Sequence, residues 1–541
     1  MTDDPKQQTP AEALDALFAK WNRMDEPGLV VGIAHRGAVI YRRGFGMASL
    51  ESGLINTPKT RIRIGSTTKH FTCLAALLLA EEGKLDIDAS IRTYIPELPA
   101  FEPDPTLRQL MNHTGGLRCF LDLAMYSSGV SAIPDDGPLN FMVRQQDRNF
   151  PPGEQMIYCN GGYLLLSLAI ERASGLSFEA FLDERIFRPM GMTDTAALSS
   201  DLELLSGVAT LHNAAPDGSF TRGIFPVRIK GEGSIVSTVD DMLGWIRHLR
   251  APDHRVGSVD TWTQMLTRPR YNSGVESNYC LALSREPYRG VETIHHAGGV
   301  MGGQSQMLTV PAHELDIIIL ANRSGTDPSS LALKIIDILL ADVLDPPAAK
   351  VEATVGETAA GRYHGAQSRL LYGLSVTDGK LGLSLSNSPA MPLTARLDGA
   401  FGLTLAGMGD FVVRAADPVD GKSRSITVDY CGRLETAERL PDEPPEAAAA
   451  AEGFVGRYYG ADQDAIATVT LVDGGLRMEL HGRYGRMSYK LAPVTRDVFG
   501  GTAADPLLPL PLSLTAHRTG DQVDAFWLDT GRTRHLHFSR L

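Results

Sequence analysis

Cysteine is scarce in this chain: the five present (Cys73, Cys119, Cys159, Cys280 and Cys431) are widely spaced and never arranged as CxxC. An odd, scattered set excludes a disulfide framework and offers no zinc-ligand spacing. Free thiols in a reducing cytoplasm are therefore expected. Long apolar runs are also missing; no stretch reaches the roughly 18 residues that a membrane span needs. The first residues, MTDDPKQQTPAEALDALFAKW, hold neither a basic n-region nor an uninterrupted apolar h-region, so no secretory leader is expected. Positive charge is in deficit: 51 Lys and Arg stand against 64 Asp and Glu, a formal net charge of −13. That balance argues against a broad surface for nucleic acid or anionic membrane.

What the chain does have is ordinary globular composition, with 43% hydrophobic and 21% charged residues, which excludes a mainly disordered protein. At 541 residues it is too long for one hydrophobic core, and roughly two to four domains are expected. The 54 glycines and 32 prolines point to turns and linkers rather than an all-helical solenoid.

The character of the sequence changes twice. Up to about residue 345, strand-like and helix-like segments alternate; Asp345 to Lys350 (DPPAAK) then reads as a linker. Short runs of alternating hydrophobicity with DG, NS and GG turn signals follow, which is the all-β pattern. The stretch Pro441 to Glu452, rich in Pro and Ala, divides that region in two. The halves repeat: Gly361-Arg362-Tyr363 recurs as Gly456-Arg457-Tyr458, and Asp378-Gly379 followed by Leu381 recurs as Asp473-Gly474 followed by Leu476, all at an offset of 95 residues. Two related β domains of about 90 residues, small antiparallel barrels or sandwiches, are inferred. The expected domains are 1–345, 350–440 and 452–541.

In the first region, Gly28 to Gly37 and Ala38 to Met47 read as a hairpin around Arg36-Gly37. Ile294 to His296, Gln304 to Val310 and Asp316 to Ala321 read as three further strands. Strands at both ends with helical material between them predict one antiparallel sheet flanked by helices, an α+β layout.

Phe71 to Ala80 reads as an apolar helix stopped near Gly83, with Ser66-Thr67-Thr68-Lys69 at its start. Positions three apart share a helix face, so Ser66 and Lys69 can meet. A serine hydroxyl needs a neighbouring base to become a nucleophile, and a helix N-terminus favours an oxyanion. A lone Ser-x-x-Lys is expected about once by chance in a chain this size, with the serine a mere cap and the lysine solvated. Two further patterns add weight. Tyr158-Cys159-Asn160 follows the turn Phe150-Pro151-Pro152-Gly153-Glu154 and precedes an amphipathic helix from about Gly162 to Ala173. A phenol and an amide two apart on an irregular turn can share a cleft, one exchanging protons and the other holding a carbonyl. His296-Ala297-Gly298-Gly299 ends a strand, where glycines admit a substrate backbone and the Gly299 N–H can join that of Ser66 in an oxyanion hole. By itself each of these reads equally as a core tyrosine with a capping asparagine, or as an ordinary strand end.

Together, Ser-x-x-Lys, Tyr-x-Asn and His-x-Gly in that order resemble the serine β-lactamase and penicillin-binding protein superfamily. Leu107 to Leu117 (LRQLMNHTGGL) and Arg185 to Met192 (RIFRPMGM) resemble its neighbouring segments. Histidine in the third motif fits the esterase and D-aminopeptidase branch. With the paired β domains, the chain is similar to the bacterial D-stereospecific aminopeptidases over almost its whole length. That resemblance implies an α+β catalytic domain followed by two antiparallel β-barrels, no cofactor and no metal, and a homodimer. It further implies that Ser66 attacks an acyl carbonyl to form an acyl-enzyme, that Lys69 and Tyr158 move the protons, and that Asn160 holds the substrate. His296 and Gly298 then form the opposite wall, and the choice of base between Lys69 and Tyr158 stays open.

One departure bears on substrate. In this family a loop of the last barrel reaches the active site and offers an acid to the free amine; the matching stretch here, His481 to Ser488 (HGRYGRMS), has no acid and contains Arg483 and Arg486. Cations repel an ammonium, each by about 1–4 kcal/mol at close range. Either an acid comes from elsewhere, with Asp462, Asp464 and Asp497 as candidates, or the substrate lacks a free amine, or both arginines are merely solvated. The expected activity is release of an N-terminal D-amino acid from peptides, amides or esters. The alternative enzyme is an esterase or D-peptidase acting on a neutral or anionic acyl group. A binding protein on a retired scaffold is the rival from another class, against which the intact Ser66, Lys69, Tyr158 and His296 weigh.

Overall fold

The computed structural model describes residues 9–541 apart from 226, 252, 348–352, 397, 406–408, 506–507 and 509. Residues 348–350 of the expected first linker therefore lie outside the described residues. Two compact units form, neither continuous in sequence. The first holds the described residues of Met1–Ala89, Leu166–Pro269 and Asn278–Pro347; the second holds those of Ser90–Leu165, Arg270–Ser277 and Ala348–Leu541.

The first unit is built on α1 (Pro10–Phe18), β1 (Leu29–His35), β2 (Ala38–Phe45), α2 (Lys69–Glu81), α3 (Val239–Arg250), β3 (Ser284–Tyr288), β4 (Val291–Val300), β5 (Gly303–Val310), β6 (Leu315–Ala321) and α4 (Pro328–Leu339). Its six-stranded sheet runs β3-β4-β5-β6-β1-β2 and is antiparallel throughout. The strands from the two ends of the region are direct neighbours, with Leu29 opposite Ala321. The β1–β2 turn is Arg36-Gly37, at φ 52° and 79°, the doubly positive turn that matches strand twist. On one face Leu14 and Phe18 of α1 and Leu331, Ile335 and Ile336 of α4 close over Val31, Ile33, Ile317 and Ile319. On the other, α3 packs at β1, where a Cβ at Gly32 would come within 3.0 Å of Val239 and Leu243. β3 was not legible in the sequence: its register, Ser284 opposite His295, is paired from β4 alone, and Glu286 and Pro287 interrupt any apolar alternation.

The second unit contains both β regions. In the later one, eight strands from Gly456–Gly460 to Leu536–Arg540 close into a barrel, the seam pairing Tyr458 with Arg540 and Tyr459 with Ser539. In the earlier one, nine strands form a single sheet whose two edge strands, Met391–Pro392 and Thr394–Ala395, are separated by one residue, so that the barrel nearly closes. The repeat is physical as well as textual. Tyr363 donates to the Ala359 carbonyl and Tyr458 to the Phe454 carbonyl, each at 2.7 Å. Arg439 covers the Tyr363 ring at 5.7 Å and Arg540 covers Tyr458 at 5.3 Å. Asp378-Gly379 and Asp473-Gly474 both turn hairpins with two positive φ angles. Among the described residues, no helix is long and apolar enough to cross a membrane.

Candidate active site

Ser66 lies on a 3-10 turn, Gly65–Thr68, immediately before α2, so the helix begins at Lys69 rather than at Phe71. The turn keeps Ser66 partly exposed while Lys69 is fully buried. The Lys69 Nζ donates to Ser66 Oγ at 3.0 Å and to the Glu232 carbonyl at 2.8 Å. Three-residue spacing on a tight turn is what brings amine and hydroxyl together.

The turn is fixed against β4 and β5. Ser305 Oγ donates to the Ile64 carbonyl at 2.7 Å and stands 3.1 Å from Thr67 Oγ1, and Thr67 Oγ1 donates to the His296 carbonyl at 3.3 Å. Gly65, at φ 53°, lies on Gly299: a Cβ there would be 2.8 Å from the Gly299 nitrogen. Gly298 is closer still, since its Cβ would fall 1.9 Å from the Ile64 carbonyl oxygen. Ser66, Lys69, His296, Gly298 and Gly299 are thus assembled within one unit.

His296 is buried, with both ring nitrogens engaged. Its Nδ1 faces the Ala297 carbonyl at 2.6 Å, and the Tyr279 hydroxyl meets its Nε2 at 2.9 Å. These partners assign the proton to Nδ1 and make Nε2 the acceptor. Burial, with Lys69 and His70 nearby, holds the ring well below the usual histidine range, hence neutral.

In the second unit, Tyr158 and Asn160 flank the start of the helix Asn160–Ser174. Their clamp is His113, whose significance the sequence did not disclose. His113 adopts φ 60°; its ring packs on Tyr158 with centroids 4.1 Å apart. Its Nδ1 accepts from the Cys159 N–H at 3.1 Å, and its carbonyl accepts from the Ile157 N–H at 3.2 Å. The only textual cue was its place in the His113-Thr114-Gly115-Gly116 segment. The first barrel contributes as well: the Met156 N–H donates to the Cys431 carbonyl at 3.3 Å. The Cys159 thiol is buried, and the neighbouring Cys119 together with burial raises it well above the usual thiol range.

The basic loop sits on the C-terminus of the helix Phe120–Ser128. The Gly482 N–H donates to the Ser127 carbonyl at 3.2 Å, and a Cβ at Gly485 would stand 2.4 Å from the Ser128 carbonyl oxygen. Cations suit a helix C-terminus. Arg483 and Arg486 are exposed and form no ion pair among the described residues. The three acids considered as receptors for an amine are all committed. Asp462 pairs with Arg118 at 2.5 Å, Asp464 with Arg144 at 3.3 Å and Asp497 with Arg518 at 2.5 Å.

The beta-lactamase family model matches residues 15–341. A D-aminopeptidase of Cereibacter sphaeroides is 28% identical over 548 residues, covering 98% of this chain and 99% of that protein. In structure, the chain is similar to an octameric penicillin-binding protein homologue from Pyrococcus abyssi, with a TM-score of 0.56, 23% identity and coverage of 79% and 99%. It is also similar to a D-amino acid amidase from Ochrobactrum anthropi, with a TM-score of 0.51, 22% identity and coverage of 62% and 98%. With a serine and a buried lysine bonded on the turn before α2, and a family match over more than half its length, the chain belongs to the β-lactamase family of serine hydrolases.

Proposed function

We propose that this protein releases an N-terminal D-amino acid from peptides, amides or esters through an acyl-enzyme on Ser66. The observation that carries the reading is the 3.0 Å bond between Lys69 Nζ and Ser66 Oγ, in a chain alignable end to end with a D-aminopeptidase. Ser66 Oγ attacks the acyl carbon, and its proton passes toward Lys69, with Tyr158 as the second proton carrier. The backbone N–H groups of Ser66 and Gly299 receive the oxyanion, and Asn160 holds the substrate amide. The leaving amine takes a proton as the tetrahedral intermediate collapses, and water then hydrolyses the ester. His296, neutral and doubly engaged, serves as a wall rather than as a base. A cytoplasmic homodimer acting without a cofactor, with a catalytic domain over 1–345 and barrels over 350–440 and 452–541, completes the proposal on the same resemblance.

A second reading, an esterase or D-peptidase taking a substrate without a free amine, is favoured by one observation. Arg483 and Arg486 carry no counter-charge among the described residues, while Asp462, Asp464 and Asp497 are already neutralised by arginines. The test is turnover of D-alanine p-nitroanilide, its L isomer, p-nitrophenyl acetate and a chromogenic cephalosporin by wild type and Ser66→Ala. Turnover of the D-anilide alone supports the first reading and ester turnover alone the second. Turnover that survives Ser66→Ala sinks the nucleophile assignment.

A further inference from the structure

The carboxyl of Glu232 has no part in the steps above, yet its surroundings are unusual. The residue is 4% exposed, and among the described residues neither side-chain oxygen has a well-formed hydrogen bond, only the weaker pull of the Glu232 and Lys230 backbone N–H groups. Its own carbonyl accepts from Lys69 Nζ, which places the residue against the amine that is bonded to Ser66. The surrounding turn is rigidly held. The Gly231 N–H donates to Ser167 Oγ and its carbonyl accepts from Thr72 Oγ1, both at 2.8 Å. A Cβ at Gly231 would lie 2.4 Å from Ser167 Oγ, and the Ser234 N–H closes the turn on the Lys230 carbonyl at 2.9 Å.

A buried carboxylate without a well-formed hydrogen bond is costly, and it is tolerated only if it is neutral or faced by a cation. Two cations act on the Glu232 carboxyl, with no ion pair to either among the described residues. Lys230, its neighbour in the turn, is already paired with Glu171. The other is Lys69 on α2. Beyond Lys69 the nearby ionisable rings supply no competing charge: His296 is held neutral by burial, and so is His70, pushed down to about 3.

We propose that Glu232 is the counter-charge of Lys69, a positioning residue that decides at which pH the amine can accept the proton of Ser66. The inference rests on the reading of Ser66 as nucleophile and Lys69 as its proton acceptor. Burial raises the Glu232 carboxyl to about 7, against the pull of its own backbone N–H, then of Lys69 and Lys230, so its charge changes within the working range. Carboxyl and amine titrate as a pair. While they hold one proton between them, ionised Glu232 favours the ammonium, which has no lone pair for Ser66; loss of that proton frees the amine. When Ser66 Oγ bonds to the acyl carbon, its proton passes to Lys69 Nζ, and the ammonium so formed, bonded to the Glu232 carbonyl, lies in the field of the Glu232 carboxylate. Removing the charge therefore makes the amine available at lower pH and weakens it as a base.

The test needs no knowledge of the substrate. A fluorophosphonate is reacted with wild type, Ser66→Ala, Glu232→Gln and Glu232→Met from pH 5 to 10; the rate is read by intact mass, the labelled residue by peptide mass, and folding by melting temperature. Met keeps the side-chain volume without a polar group, should Gln fail to fold. The expected result is label on Ser66, with the acid limb of the rate displaced to lower pH by about one unit or more and a plateau several-fold lower. Label on Ser66 with the acid limb unmoved in a folded Glu232 variant overturns this inference alone. Label landing elsewhere in wild type overturns the nucleophile reading and this inference with it.

Discussion

Gly298 and Ile64 stand so close that no side chain fits between them: a Cβ on Gly298 would fall 1.9 Å from the Ile64 carbonyl oxygen, two residues before Ser66. Its neighbour Gly299 is the opposite case, since a Cβ there would meet nothing within 4 Å. The two glycines of one motif therefore have different reasons to be glycine. Gly298→Ala must push the nucleophile turn away from β4, at a cost of about 1–3 kcal/mol or more, and should lose most activity. Gly299→Ala should stay within about 0.5 kcal/mol of wild type and keep the backbone N–H proposed for the oxyanion. Melting temperatures and initial rates of the two variants check this; equal damage from both would refute it.

His113 should matter to rate more than to fold. His113→Ala removes the ring packed on Tyr158 and the acceptor of the Cys159 N–H, leaving a buried donor unpaired at about 1–3 kcal/mol. Loosening Tyr158 should lower kcat/KM by roughly 10- to 100-fold. His113→Asn, which tolerates the positive φ, should recover stability without recovering the ring contact. A wild-type kcat/KM in His113→Ala would show that the clamp is idle.

His70 should make the protein acid-sensitive. It is buried, with neither ring nitrogen hydrogen-bonded among the described residues, stacks on Trp245 at 5.4 Å, and is pushed down by burial to about 3 from an ordinary value of 6.5. The unfolded chain then binds the proton that the folded one refuses, so stability falls as pH drops from 6.5 toward 3, by up to about 1.4 kcal/mol per pH unit. His70→Phe removes this contribution. Melting curves from pH 4 to 7 should show wild type losing stability relative to the variant on acidification, and parallel curves would contradict it.

Two ion pairs of the second unit should differ in value. Arg118 is fully buried, and Asp462 is almost so, accepting from both Arg118 and the Gln146 N–H. Asp462→Ala leaves the buried guanidinium its bonds to the Arg534 and His535 carbonyls but, among the described residues, only the exposed Asp147 at 3.4 Å as an ion-pair partner, and should cost about 3 kcal/mol or more. The Arg144–Asp464 pair is about one-third exposed on each side, and Asp464→Ala should cost under about 1 kcal/mol. Thermal unfolding of both variants gives the ranking, and a reversed order would count against the burial argument.

Local and periodic features were readable from the chain itself. Alternating hydrophobicity and the Arg36-Gly37 turn announced the β1–β2 hairpin, and the 95-residue offset announced two related β regions, because turn chemistry and strand period are properties of adjacent residues. Ser66, Lys69, Tyr158 and His296 were legible as types at chemically meaningful spacings. Tertiary structure alone decided what those residues touch. Lys69 meets the Glu232 carbonyl across 163 positions of chain, and Arg118 neutralises Asp462 across 344. His113 reaches the Cys159 N–H across 46. Such contacts depend on how separate segments fold back on one another, and no local pattern encodes them. The same holds for charge: the sequence as a whole is acidic, with a formal net charge of −13, but whether a given carboxylate is free, paired or buried without a donor is settled by its neighbours in space.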